Sequence, residues 1–240
     1  MKKFFLLAAA MLLTIAASAE VIPANDSRVT YVGRTLVEGT DVSFDWTATY
    51  FRIAFSGKSL TMKASETKWD ADADKAATRH NYYNVWIDSP TSAEPHRIIE
   101  VTGNDTVIEL IDPAYLKKSR RAVHEVIVQK RTEGEQGKTT VHEFATDGKF
   151  FQAEPLKVRQ LEFIGDSYTC GYGIDAQSRK ERFTPETENA SRSYAGIVSR
   201  YFGADYVAIA HSGMGIARNY NSKFKGWWMP DRYLQTFDED

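Results

Sequence analysis

The chain has 240 residues, 30 basic against 32 acidic side chains, a formal net charge of −2 and one cysteine. Near-neutrality without a long run of either sign gives no electrostatic basis for binding nucleic acid or a charged membrane surface, so a neutral partner is expected. The lone Cys170 excludes an internal disulfide framework, and stability has to come from burial.

The chain opens MKKFFLLAAAMLLTIAASAE. Lys2 and Lys3 precede an apolar stretch from Phe4 to Ile15, and Ala17-Ser18-Ala19 offers small residues to a peptidase. That is the pattern of a secretory signal peptide over 1–19, so a secreted or periplasmic protein is expected, cleaved near Ala19. The stretch is shorter than the roughly 20 residues that span a bilayer, and no later segment is longer or more apolar, so no membrane span is expected. Cleavage leaves about 220 residues, enough for one large domain or two modest ones.

From Val29 the sequence alternates apolar and polar residues in short runs: Val42–Trp46, Phe51–Phe55, Ser59–Ala64, Tyr82–Ile87, Arg97–Val101, Asp105–Ile111 and His124–Lys130. A period of two with one apolar face is what a half-buried antiparallel strand requires. Ser56-Gly57-Lys58 and Thr102-Gly103-Asn104 are turn signals at hairpin-like spacing. A β-sandwich of about eight strands over 29–154 is predicted, with Trp46, Phe55, Tyr83 and Trp86 in its core and His80, His96, His124 and His142 as exposed or turn residues. Asp70, Asp72 and Asp74 look like the opening of a calcium loop, but Lys75 stands where that loop needs glycine and Asn81 where it needs glutamate, so no metal site is assigned.

Near Glu154-Pro155 the rhythm changes, and a second domain is predicted over 155–240. LEFIG at Leu161–Gly165 is a compact apolar strand, and Arg192–Gly203 carries Tyr194, Ile197, Val198, Tyr201 and Phe202 at helical spacing. ADYVAIAHSG is again a strand, giving the β-α-β rhythm of a parallel sheet. In such sheets functional residues gather beyond the carboxyl ends of the strands. Ser167 sits at the first end, after Gly165, which permits a sharp bend, and Asp166, whose carboxylate can hold the loop by accepting backbone N–H groups. Gly213 and Gly215 follow the second strand, where a glycine lets a backbone N–H approach a ligand closely. A serine at one end and a bare N–H at the other make the first half of an acyl-transfer site. Trp227 and Trp228, with Phe224 and Tyr233 nearby, offer a sugar-stacking wall, with Trp228 the candidate substrate contact; the alternative is ordinary packing. Cys170 reads as a small packed side chain.

IGDSYTCGYG resembles the first signature block of the SGNH, or GDSL-type, hydrolases, and AHSGMGIARN is similar to their second block. The order of signal peptide, sandwich and serine block, with VGR at Val32–Arg34 and FRIAFSGKSL at Phe51–Leu60, resembles carbohydrate esterase family 2, whose members remove acetyl groups from plant-wall polysaccharides such as xylan. The resemblance implies a jelly-roll-like β-sandwich followed by the incomplete start of a flavodoxin-like SGNH hydrolase domain. It implies Ser167 as nucleophile, N–H groups of Ser167 and Gly213 for the oxyanion, no metal or organic cofactor, and an acetylated polysaccharide or oligosaccharide as partner. The family's further blocks, an Asn-bearing loop and an Asp-x-x-His segment, have no counterpart here, so an N-terminal portion of a longer esterase is expected. Asn219 belongs to the second block and does not replace the missing asparagine. His211, two residues before Gly213, does not by its position aim its ring at Ser167. Two functions follow: a secreted serine-type carbohydrate esterase, or a catalytically silent fragment that acts only as a carbohydrate-binding or structural sandwich.

Overall fold

In a computed structural model that describes residues 19–68, 80–221 and 227–238, twelve strands form two six-stranded antiparallel sheets and two more form a parallel pair. All of 1–19 except Ala19 lies outside the described residues, as do Asp70, Asp72, Asp74 and Phe224. The first sheet holds β1 (Glu20–Pro23), β3 (Leu36–Glu38), β4 (Asp41–Phe44), β6 (Leu60–Thr67), β9 (Thr106–Glu109) and β11 (Lys138–Thr146). The second holds β2 (Thr30–Val32), β5 (Tyr50–Phe55), β7 (Asn81–Ile87), β8 (Arg97–Val101), β10 (His124–Lys130) and β12 (Phe150–Phe151). The chain is mostly β with few helices, and the strands beyond the expected eight include short edge pieces such as β2 and β12.

Both sheets feed one core. β6 alternates buried Leu60, Met62 and Ala64 with partly exposed neighbours, and these pack with Phe51, Ile53 and Phe55 of β5 and Val126 and Val128 of β10. The two turns expected to close hairpins do something else. Ser56-Gly57-Lys58 joins β5 to β6 and Thr102-Gly103-Asn104 joins β8 to β9, and in each case the strands belong to different sheets. Turn residues mark where the chain reverses; which sheet the next strand joins is decided by pairing far along the chain. Trp46, Phe55, Tyr83 and Trp86 are all buried, but only Phe55 and Tyr83 join the core between the sheets, while Trp46 packs with Ile209 and Met229 of the second layer.

β5 departs from simple alternation because all six of its residues are buried. Its second face lies under another layer: the parallel pair β13 (Gln160–Gly165) and β14 (Asp205–Ala210), with helices α1 (Pro113–Leu116) in the sandwich and α2 (Ser167–Cys170), α3 (Tyr194–Tyr201) and α4 (Met229–Arg232) in the second layer. A small second core of Tyr50, Ala190, Ala195, Tyr206 and Ala208 lies between them. α3 forms where its periodicity predicts, but with the opposite face inward. Ala195, Gly196 and Ser199 are buried, whereas Tyr194, Ile197, Tyr201 and Phe202 are exposed. Only small side chains fit the close approach of this helix to its neighbours.

Charge also crosses this seam. Arg52 of β5 pairs with Asp205 at the start of β14, both buried, and Asp205 further accepts the Tyr50 hydroxyl at 2.8 Å and the Lys157 N–H at 2.8 Å. Burial alone would raise the Asp205 carboxyl, but these partners hold it below the usual carboxylate range. Removing one member of such a pair strands the other charge, at a cost of about 3–5 kcal/mol. Asp205→Asn is therefore expected to lower unfolding free energy by about that amount in urea, and Arg52→Met in the same background to recover part of it; a change within about 0.5 kcal/mol for Asp205→Asn would contradict the pairing's role.

Candidate active site

β13 and β14 run parallel with Gly165 opposite Ala210, so the loops that follow them leave from one edge and lie side by side. The His211 N–H donates to the Gly165 carbonyl at 3.3 Å and ties the two exits together. Ser167 and the glycine loop are thus brought to one place. Ser167 is the first residue of α2, and Asp166 caps that helix by accepting the Tyr168 N–H at 3.1 Å. Gly165 is not held by a turn conformation: a Cβ there would strike Thr169 Oγ1, whose hydroxyl pairs with the Tyr194 hydroxyl at 2.8 Å. Gly213 has φ of +76°, a left-handed backbone that side chains disfavour.

The second loop is pinned from several sides. The Met214 N–H donates to the His211 carbonyl at 3.1 Å, and the Tyr220 N–H to the Gly213 carbonyl at 2.7 Å. Asn219 accepts the Gly215 N–H at 3.1 Å and donates to the Trp227 carbonyl at 2.9 Å, so its side chain shapes the loop. Gly165, Asp166, Tyr168, Thr169, Gly215 and Met229 line an open, mainly apolar cleft between the two strand ends. Trp228 lies at the head of α4, half-buried, its N–H given to Asp231 and its indole N–H without a partner; its neighbour Trp227 is the more exposed ring.

Beneath both loops lies a buried polar cluster that the sequence reading did not single out. Arg131, just past β10, donates to Asn84 at 2.8 Å, to Asp175 at 2.7 Å and to the carbonyls of Glu186 and Glu188, gathering the segment between α2 and α3 against the sandwich. Glu133 accepts the Ser212 N–H at 2.6 Å and the Cys170 thiol at 3.7 Å, while its own N–H donates to Glu188 at 3.0 Å. Burial raises the pKa values of Glu133, Glu188 and the Cys170 thiol, and each carboxyl is raised further by an acidic neighbour. Carboxylates and thiol come within 4.8 Å of one another, donor types that suit a divalent cation. The Lys130 ammonium already brings positive charge to this pocket, donating to the Glu133 carbonyl at 2.9 Å, and burial lowers its pKa to about 8.

His211 is buried with its Nδ1 on Asp238 at 2.8 Å, and the Asp238 N–H is held by Asp45 at 2.8 Å. Burial alone would lower the imidazole, but the hydrogen bond and charge of Asp238, with Glu133 nearby, outweigh it and lift the pKa to about 9. Ser167 Oγ makes no hydrogen bond to a histidine among the described residues. Of the other histidines, His96 is exposed in a bend as expected, whereas His124 is buried and His80 and His142 are partly buried. His124 pairs with Asp88 at 2.7 Å, His142 bridges Asp41 and Ser65, His80 meets Glu66, and His96 faces the Ile87 N–H at 3.1 Å. For His124, His142 and His80 a partner for a ring nitrogen lets the imidazole pack against the sandwich without an orphaned polar atom.

A family model described as carbohydrate esterase 2 N-terminal matches residues 31–155. An acetylxylan esterase / glucomannan deacetylase of Cellvibrio japonicus is 32% identical over 200 residues, covering 79% of this chain and 48% of that protein. The cellulase/esterase CelE of Acetivibrio thermocellus is 32% identical over 152 residues, 63% of this chain and 18% of that protein. Among solved structures, a family two carbohydrate esterase from Clostridium thermocellum in complex with cellohexaose superposes with a TM-score of 0.73 at 27% identity, covering 87% of this chain and 58% of that one. The chain spans about half the length, or less, of the curated relatives it matches.

The His211 to Asp238 pair predicts a pH signature. Its folded pKa of about 9 lies above the 6.5 of a free imidazole, so its stabilisation is fully present below about pH 6.5 and is lost as pH rises through 9. Lys130, lowered to about 8, acts in the opposite sense at higher pH, so the informative comparison is wild type against His211→Asn. The variant is expected to cost on the order of 3 kcal/mol at pH 6 in denaturant titrations and much less at pH 9.5; an equal cost at both would contradict the pairing.

Proposed function

The chain belongs to carbohydrate esterase family 2, and on that premise we propose that it is a secreted serine-type esterase that removes O-acetyl groups from plant cell-wall polysaccharide such as xylan. The observation that carries the proposal is the pair of glycine-bearing loops at the carboxyl ends of β13 and β14, one holding Ser167 and the other Gly213. In this reading the sandwich is jelly-roll-like and the second layer is the start of a flavodoxin-like SGNH hydrolase domain. No metal or organic cofactor is required.

Ser167 Oγ attacks the acetyl carbonyl carbon while its proton passes to a base, and the carbonyl π pair moves onto oxygen. The N–H groups of Ser167 and Gly213 stabilise that oxyanion. Collapse breaks the bond to the sugar oxygen, which leaves with a proton as the free hydroxyl, and an acetyl-serine remains. Water then attacks the same carbon through the same oxyanion, releasing acetate and restoring the serine. Asp238 on Nδ1 is the kind of partner a general-base histidine has, but among the described residues no hydrogen bond joins the His211 ring to Ser167, so His211 is not our candidate for the base. Trp228 is proposed as a stacking surface for the sugar.

The lack of a histidine on Ser167 favours a second reading, in which the chain as it stands is catalytically silent and the sandwich binds carbohydrate or serves structure. One assay separates the two. Acetate release from acetylated xylan is expected to fall about 10³-fold or more in Ser167→Ala, to the uncatalysed background. Release unchanged by the substitution would contradict the assignment of Ser167. Turnover of a small acetyl ester no faster than background in the wild-type chain would select the silent sandwich.

A further inference from the structure

The segment after β10 carries Glu133 out of the sandwich, and its carboxylate ends between the two loops of the candidate site. A single oxygen, Oε2, accepts the N–H of Ser212 at 2.6 Å and the thiol of Cys170 at 3.7 Å. Ser212 immediately precedes Gly213, and Cys170 is the last residue of the one-turn helix that Ser167 opens. The acceptor and the thiol are closed to water, since Glu133 and Cys170 have no exposed surface, and Ser212 is partly buried above them. The acid is fixed in turn by Glu188, which accepts the Glu133 N–H at 3.0 Å, and by Lys130, which donates to the Glu133 carbonyl.

We infer that Glu133 is a positioning residue for ester hydrolysis: its carboxylate sets the plane of the 211–212 peptide and so aims the Gly213 N–H at the oxyanion formed on Ser167. The inference rests on the roles given to Ser167 and Gly213 above. Gly213 lacks a Cβ, so its own backbone imposes little restraint on where that N–H points. The restraint comes from two bonds on either side: the Met214 N–H to His211 carbonyl turn, and the Ser212 N–H to Glu133 anchor. An apolar side chain could fill the space but would take away the acceptor that the Ser212 N–H uses. Keeping a carboxylate there, beside another buried acid, is costly, and that cost is offset by an acceptor that takes one donor from each loop. An oxyanion donor is worth about 10²–10³ in rate when correctly aimed, so a loss of aim is expected to cost at least tenfold.

Methylboronic acid tests this without requiring turnover. Its boron accepts the Ser167 oxygen, the serine proton passes to solvent, and the product is a tetrahedral boronate anion with the shape and charge of the oxyanion. Boron NMR reads the adduct and its affinity, and circular dichroism confirms that each variant is folded at the temperature used. The wild-type chain is expected to form the adduct and Ser167→Ala to form none. Glu133→Gln, which keeps a weaker acceptor, is expected to bind less tightly, and Glu133→Ala at least tenfold less tightly, while both remain folded. Wild-type affinity in folded Glu133→Ala overturns the inference and leaves Ser167 standing. No Ser167-dependent adduct in wild type overturns the reading of Ser167 and the inference with it. The wild-type protein carries an independent check should a variant fail to fold: the Ser212 amide proton is expected well downfield, as a short bond to a carboxylate requires, and an ordinary shift overturns the inference.

Discussion

The sheet that contains β5 and β10 is covered on both faces, and this constraint shapes the rest of the molecule. One face carries the sandwich core; the other carries Arg52, Gln129 and Arg131 into contact with the second layer, all of them buried. Each of these groups has to be matched by a partner, because an unpaired buried charge or amide is expensive. Asp205 answers Arg52, the Tyr206 hydroxyl and Ala48 carbonyl answer Gln129, and Asp175, Asn84 and two carbonyls answer Arg131. Asp205 and Tyr206 belong to the start of β14, and Asp175 and the two carbonyls to the segment after α2, so matching the charges fixes where the second layer sits.

That placement carries through to the site. A two-stranded parallel ribbon has little stability of its own, and β13 presents Gln160, Glu162 and Ile164 outward. Its strand-end loops are nonetheless closely held. The loop from β13 is capped by Asp166 and backed by Thr169 on Tyr194; the loop from β14 is closed on His211 and braced by Asn219. Below them the sandwich supplies Arg131 and Glu133, so residues distant in sequence from Ser167 set the geometry around it. In this account the sandwich is more than an appended module.

Much of this was legible in the sequence, and the exceptions have physical causes. Period-two alternation located β5, β7, β8 and β10 because a half-buried strand leaves that trace directly. β11 left a weaker one: KTTVHEFAT buries Thr139, Val141, Phe144 and Thr146, and a register shift between Val141 and Glu143 breaks the alternation. In α3 the periodicity found the helix but not its inward face, because the space available selected Ala195, Gly196 and Ser199 over the larger residues. Ser167 and Gly213 stood out because glycines beside a strand end are a local signal. Arg131 and Glu133 sit in the run QKRTEG, which resembles any charged surface loop; only the second layer lying over it makes those charges internal.

The account is tested most directly by hydrogen exchange, followed by mass spectrometry, on the whole chain with Arg131→Met. The substitution removes every hydrogen bond from that guanidinium while keeping an unbranched side chain. Protection is expected to fall in residues 166–190, the helix that Ser167 opens and the segment Arg131 gathers, while the interior of β5 and β7 stays as slow as in wild type. Unchanged protection across 166–190, or a uniform loss through both layers, would contradict the claim that buried side chains of the sandwich set the geometry of the candidate site.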